Sequence, residues 1–208
     1  MSVLGILGTV HIEEMRKEYN YSLKRMEELI EEFKPDIICG EVRPEDWEKY
    51  CSNNKYEGYL GPSEYRKLII PLCEKNGIKF IPVDWFTDDL VGYDYFEGKT
   101  GAELTNLEQQ FNSLMAMIIK SAKNSKIPFN SLEFNDLVEK KEDFMNIVNP
   151  ELHKVCWVRR NKIMVERIKD ALEGNEGKRV LCTVGAEHNY YYYKNLQHSN
   201  WEIIYPIK

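Results

Sequence analysis

The sequence predicts an α/β protein: a mainly parallel sheet with crossover helices and an inserted helical segment. Three observations predict it. Short apolar runs alternate with amphipathic stretches over residues 3–85. Residues 103–173 then carry helical periodicity alone, and an apolar run returns at 179–185. Strands and helices in strict alternation are the mark of βαβ units, in which a crossover helix returns the chain to a parallel neighbour.

Residues 3–8 form a short apolar run bounded by glycine, which reads as a buried strand. Residues 13–33 place Met15, Tyr19, Leu23, Met26, Leu29, Ile30 and Phe33 at helical spacing, and Lys34-Pro35-Asp36 stops that helix. Residues 36–42 make a second strand. A helix is expected over 63–76, with Pro62 at its entry, Asn76-Gly77 as its stop and a kink at Pro71. Residues 79–85 give the third strand. The stretch 87–101, polar and aromatic with Gly92, Gly98 and Gly101, reads as a long loop. Helices follow at 103–122, 131–148 and 150–173, the last with Asn149 as cap and Pro150 in the first helical position. A turn at 174–178, a strand at 179–185, a short helix and a terminal strand at 201–207 complete the chain. The expectation is one domain over 1–208, with a helical insertion at about 87–150.

Composition narrows the function classes. The net charge of −6 is spread along the chain, and no basic stripe is available to neutralise phosphates, so nucleic acid is not an expected partner. Five cysteines without a Cys-x-x-Cys pair argue against a disulfide framework and a zinc knuckle. Cys39 and Cys182 lie within apolar runs, where a thiol serves as a small core side chain. That usage points to a reducing compartment. Neither a signal peptide nor a run of ~20 apolar residues is present, so the expectation is a cytoplasmic protein with no membrane partner. Oligomeric state has no signal in the sequence.

In an open parallel sheet, ligands bind beyond the carboxyl ends of the strands. The first strand ends in Gly8-Thr9-Val10-His11, the second at Gly40-Glu41-Val42-Arg43, the third at Val83-Asp84-Trp85 and the late one in Gly185-Ala186-Glu187-His188. Two histidines, two carboxylates and an arginine are thereby expected at one edge. Glycine lets the backbone turn sharply or approach a ligand closely at a strand exit. Imidazole titrates near neutrality and serves as general base or metal ligand. Two imidazoles and a carboxylate such as Glu41 are a common set for a catalytic divalent metal that keeps a position open for water. A lone strand-end histidine is more often structural; two of the four histidines in one Gly-x-x-His frame reverse that. Asp84 reads equally as a turn cap, and His153 and His198 read as surface residues.

On the 150–173 helix the apolar face runs through Cys156, Trp157, Met164, Ile168 and Leu172. At about 3.6 residues per turn, Arg160 and Asn161 both point into that arc. A buried arginine requires partners, either a core carboxylate or Glu41, Asp84 or a substrate anion at the site edge. The run Tyr190 to Tyr193 is expected to split between core and surface, and Leu114, Met115, Met117 and Ile118 read as a core-facing stripe.

With these residues assembled, the sequence resembles the TraB/PrgY–Tiki superfamily, which also takes in ChaN-like and erythromycin-esterase-like proteins. The carrying residues are Leu7-Gly8-Thr9-Val10-His11, then Pro35-Asp36-Ile37-Ile38-Cys39-Gly40-Glu41, then Arg160-Asn161-Lys162-Ile163-Met164, and finally Thr183-Val184-Gly185-Ala186-Glu187-His188. The resemblance implies an α/β core with inserted helices. It implies His11 and His188 as metal ligands or bases, Glu41 as ligand or water-activating base, and Arg160 as an anion-stabilising group. Tiki-like members resemble divalent-metal-dependent proteases, with manganese or cobalt ahead of zinc. Erythromycin-esterase-like members activate water without metal, and ChaN-like members are associated with haem. The chain departs from the pattern at Glu187, at Tyr190 to Tyr193 and at Glu13, which bring bulk and negative charge to the rim, so the family's substrate type does not carry over. Asp84, Arg43, Glu187 and Asn161 are the candidate substrate contacts.

The leading expectation is a metal-dependent hydrolase acting on peptide or amide bonds of a peptide or small-molecule substrate. The rivals are a metal-free esterase-like hydrolase and a non-catalytic protein that binds haem or a small anion. A dinucleotide-binding fold is the weakest rival, since Gly5-Ile6-Leu7-Gly8 lacks the full glycine fingerprint.

Overall fold

The computed structural model describes residues 1–53, 55–87, 92–197 and 200–207. Strand β1 (Ser2–Thr9) leads through α1 (Glu13–Glu18) and α2 (Leu23–Phe33) to β2 (Ile37–Gly40). Then come α3 (Pro44–Ser52), a π-helical turn Tyr65–Ile69 continuing into α4 (Ile70–Asn76), and β3 (Lys79–Pro82). Helices α5 (Gly101–Asn124), α6 (Leu132–Val148) and α7 (Pro150–His153) follow, and a second π turn, Lys154–Arg159, opens α8 (Arg160–Glu173). Strand β4 (Arg179–Gly185), a 3₁₀ turn Ala186–His188, α9 (Asn189–Asn195) and β5 (Trp201–Ile204) close the order. The expected α/β architecture is therefore present.

All five strands are parallel, in the order β3-β2-β4-β1-β5. A sheet covered on both faces favours near-continuous apolar runs, and β1, β2 and β4 supply them over most of their length. On one face Leu7, Ile38 and Leu181 pack against α2, the first π turn, α5 and α6 through Met26, Ile30, Phe33, Ile69, Ile118 and Phe134. On the other, Leu4, Ile6, Cys39, Cys182 and Val184 meet Met164, Val165 and Ile168 of α8 and Tyr192 of α9. The register sets Thr9 beside Gly185 and Gly40 near the same level, opposite Thr183. Since β4 lies between β1 and β2, its exit is the centre of the carboxyl edge.

Several sequence expectations are corrected. The 13–33 helix is two helices. Asn20 adopts a left-handed φ of 53° between them, Tyr21 turns inward to donate to the Gly8 carbonyl, and Ser22 caps α2 by accepting from Arg25 N–H. A capping serine and a buried tyrosine outweigh the continuous 3.6 period. The 63–76 helix is widened at Tyr65–Ile69, where the Ile70 N–H reaches back to the Tyr65 carbonyl. Pro71, with no N–H for the Lys67 carbonyl, follows at once. Helix α3 was not anticipated, although Pro44 at its start and Glu45 and Asp46 in its first turn are helix-start signals. His153 is buried rather than on the surface, with Nδ1 3.2 Å from the Tyr95 hydroxyl and 3.6 Å from Glu142. His198 lies outside the described residues, as does part of the 87–101 loop. The strand expected over 201–207 is shorter, and in the α5 stripe Ile118 is buried while Met117 is exposed. Tyr190 and Tyr192 are buried and Tyr191 and Tyr193 half-buried, the expected split.

Among the described residues every cysteine is a free thiol, and no helix is long and apolar enough to cross a membrane.

Candidate active site

The β1 exit carries His11 out of the sheet, and buried Arg16 of α1 fixes its backbone by donating to the carbonyls of Val10 (2.6 Å) and His11 (3.0 Å). The ring then meets Glu64, a fully buried carboxylate just ahead of the first π turn. Glu64 Oε1 accepts from Thr9 Oγ1 at 2.8 Å and lies 2.6 Å from His11 Nδ1. Its Oε2 has no hydrogen-bond partner among the described residues, the nearest cation being Arg16 Nη1 at 3.5 Å. With a carboxylate as the acceptor, Nδ1 carries a proton and Nε2 faces outward, 3.6 Å from Glu41 Oε2. Burial lowers the His11 pKa, but the Glu64 hydrogen bond and the charges of Glu41 and Glu64 outweigh it and hold the pKa above 6.5. Burial raises Glu64, and the bond and charge of His11 overcome that as well, leaving its carboxyl below the usual range.

Glu41, at the end of β2, is buried and lies at the centre. Its own N–H donates to the Tyr65 hydroxyl, which in turn donates to the Thr183 carbonyl. Glu41 Oε1 accepts from Arg160 Nη2 at 2.8 Å, and Oε2 accepts from the Gly185 N–H. Burial dominates its titration and raises the pKa, against the lowering effect of His11 and Arg160. Arg160 also forms a two-pronged pair with Asp84, Nε to Oδ1 at 2.8 Å and Nη2 to Oδ2 at 3.1 Å. Such a fork fixes the guanidinium plane as well as its charge. Among the described residues Nη1 meets no acceptor, and the side chain keeps 24% of its surface.

His188 reaches the same carboxylate from the β4 side, with Nε2 3.6 Å from Glu41 Oε1. Its environment is the opposite of His11's. Nδ1 lies 2.6 Å from Asn161 Oδ1, and Asn161 Nδ2 donates to the Trp157 carbonyl. That second bond fixes the amide so that its oxygen faces the ring, so Nδ1 holds the proton and the Nε2 lone pair faces the site. The ring stacks on Trp157 at 4.4 Å and 12°. Burial first, then the positive charges of Arg160, His11 and Lys141, push its pKa well below 6.5.

The glycines serve close approach. Neither Gly8 nor Gly185 has a positive φ, but a Cβ on Gly185 would stand 2.6 Å from His11 Nε2, and one on Gly8 would collide with Asn189.

His11, Glu41, His188 and Arg160 thus converge. Asp84 and Asn161, expected to touch substrate, are fully buried and hold Arg160 and His188. Arg43 pairs with Asp46 at 2.6 Å, its guanidinium 4.6 Å from the centre of the Phe86 ring that Arg160 also approaches, at 5.7 Å. Glu187 turns to Lys141 at 2.8 Å. The uniform 3.6-residue reading of 150–173 fails at Lys154–Arg159, where the π turn resets the helix before Arg160 and Asn161. Sequence reasoning missed Glu64. Its signal was a carboxylate four residues ahead of Leu68 on an apolar stripe, the pattern that singled out Arg160.

A divalent metal does not find a ready donor set. Among the described residues no three His, Cys, Asp or Glu side chains converge closely enough to hold an ion. Both oxygens of Glu41 are engaged, one by a guanidinium that already supplies the local positive charge. Comparisons with known proteins find no matching family model, no similar curated protein and no similar solved structure. Fold and site together define a parallel α/β protein with an acid–base cluster at the carboxyl edge of its sheet.

Proposed function

We propose that the chain is a metal-free hydrolase of acyl bonds, peptide, amide or ester, in which His11 activates the attacking water. The observation that carries this reading is the Glu64–His11–Glu41 line, a buried carboxylate 2.6 Å behind an imidazole whose other nitrogen faces a partly open site. A carboxylate behind the ring fixes its tautomer and stabilises the imidazolium, the logic of a hydrolytic triad. A base whose pKa is held above the ordinary imidazole value is also a stronger one.

Water gives its proton to His11 Nε2 as its oxygen attacks the carbonyl carbon. Glu41, fixed by Arg160 and Gly185, orients the water and balances the imidazolium. The carbonyl oxygen takes up the electron pair, and Arg160 Nη1 is the donor available to it. Collapse of the tetrahedral species expels the leaving group, which receives the proton from His11. His188 stays neutral and offers Nε2 as a hydrogen-bond acceptor. The resemblance to erythromycin-esterase-like proteins supports the same assignment.

The test is hydrolysis of a panel of ester, amide and peptide substrates after exhaustive chelation. Activity that persists with chelator and disappears in His11→Ala supports the reading. Activity lost on chelation and restored by manganese, cobalt or zinc would return the site to the metal-dependent class.

A further inference from the structure

The two Gly-x-x-His motifs leave the sheet on adjacent strands, and beyond the sheet no ladder fixes one against the other. A stretch of the insertion, residues 128–141, touches both. Asn130, buried in the turn between α5 and α6, grips Gly8 twice. Its Oδ1 accepts from the Gly8 N–H at 2.7 Å, and its Nδ2 donates to the Gly8 carbonyl at 3.0 Å. The same Oδ1 lies 3.5 Å from Nδ2 of Asn189, the residue after His188, and that nitrogen also donates to the Phe129 carbonyl at 3.2 Å. Phe129 adopts a φ of 63°, a left-handed conformation that costs a non-glycine residue energy and marks a turn held by its surroundings.

Further along, Lys141 of α6 holds the residue before His188. Its ammonium is 2.8 Å from Glu187 and 2.6 Å from Glu142, and the lysine is buried. The ammonium also lies 5.8 Å from the centre of the Trp157 ring, on which His188 stacks. The second motif is therefore held on both sides of its histidine, and the first at its glycine, by the same piece of chain.

We propose that Asn130 and Lys141 are positioning residues, through which the inserted segment sets His11 and His188 in register as one site. The insertion is then part of the catalytic apparatus. The kinetic part of this inference rests on the hydrolase reading; the structural part does not.

The experiment pairs kinetics with NMR of the histidine rings in the full chain, using Asn130→Ala, Lys141→Met and Lys141→Arg. Asn130→Ala is expected to lower kcat about 100-fold with KM within about twofold, the scale of misplacing a reacting group by roughly 1 Å. Lys141→Met is expected to lower kcat about tenfold, and Lys141→Arg to recover most of that loss. In the spectra, Asn130→Ala shifts the ring signals of both His11 and His188, and Lys141→Met shifts those of His188 alone. If the wild type hydrolyses nothing, the hydrolase reading fails and the ring signals decide the clamp by themselves. Should Asn130→Ala not fold, Asn130→Ser and the lysine pair decide it by the same readouts. Both ring signals unmoved in a folded Asn130 variant, or Lys141→Arg no better than Lys141→Met, would overturn the proposal.

Discussion

His11 and His188 end the same four-residue motif and approach the same carboxylate at the same 3.6 Å, yet they are held in opposite ways. His11 keeps 38% of its side chain exposed and has the carboxylate of Glu64 behind Nδ1. His188 keeps 6% and has the amide of Asn161 there, with Trp157 against its face. Burial lowers the pKa of both rings. At His11 the Glu64 hydrogen bond and the charges of Glu41 and Glu64 outweigh it and hold the pKa above 6.5. At His188 the charges of Arg160, His11 and Lys141 add to it and push the pKa well below that value. Such a separation is what the proposed mechanism needs, with His11 as the base and His188 neutral. The difference lies in the burial of each ring and the charges around it, which the motif does not contain.

The largest expected effect comes from removing one histidine at a time. His11→Ala should lower kcat by about 10²–10⁴, the usual worth of a general base. His188→Ala should lower it less and should lower the melting temperature more, because it empties a packed pocket beside Trp157. Equal kinetic losses with equal melting temperatures would erase the distinction between the two rings.

Arg160→Met comes next. It leaves Glu41 and Asp84 buried without their cation, an imbalance of about 3–5 kcal/mol at neutral pH. Glu41 already has a raised pKa and loses a group that lowers it, so in the variant it takes up a proton at higher pH. The stability deficit should therefore shrink as pH falls, as denaturant unfolding at several pH values would reveal.

Glu64→Gln keeps an acceptor behind His11 and removes the charge. The groups that raise the His11 pKa are weakened while burial still lowers it, so the pKa falls. In the proposed mechanism the base form is the active one, so the acid limb of the kcat/KM profile should move to lower pH. The plateau should drop roughly tenfold to a hundredfold, the worth of a charge-assisted hydrogen bond. A limb that stays in place would remove Glu64 from the mechanism.

The smallest effect sharpens the comparison from the other side. Asn161→Ala deprives His188 Nδ1–H of its acceptor, at a cost of about 1–3 kcal/mol for a buried unsatisfied group. Activity should fall only modestly, since the proposed mechanism makes His188 an acceptor and not the base. Thermal unfolding and kcat on the same preparation would check both halves.

The sheet edge was legible in the sequence because strand-end chemistry is local. Gly8 to His11, Gly40-Glu41 and Gly185 to His188 each announce themselves within a few residues. Arg160 was legible because an arginine on an apolar face has to find carboxylates. Glu64 and Asn130 were not, since their partners Thr9, His11 and Gly8 lie 55, 53 and 122 residues away and no spacing ties them together. The two π turns were hidden for a related reason: periodicity assumes a uniform helix, and both the Tyr65–Ile69 and Lys154–Arg159 turns break that assumption next to residues of the site. Local pattern located the groups at the sheet edge, while Glu64 and Asn130, which fix them, come from tertiary contacts alone.

The most direct measurement is an NMR titration of the two imidazoles in the wild-type protein, following ring nitrogen shifts from acid to alkaline pH. His11 is expected to titrate above 6.5 and His188 to stay neutral, protonated on Nδ1, down to well below that value. Two rings titrating together near 6.5, or His188 charging before His11, would contradict that expectation.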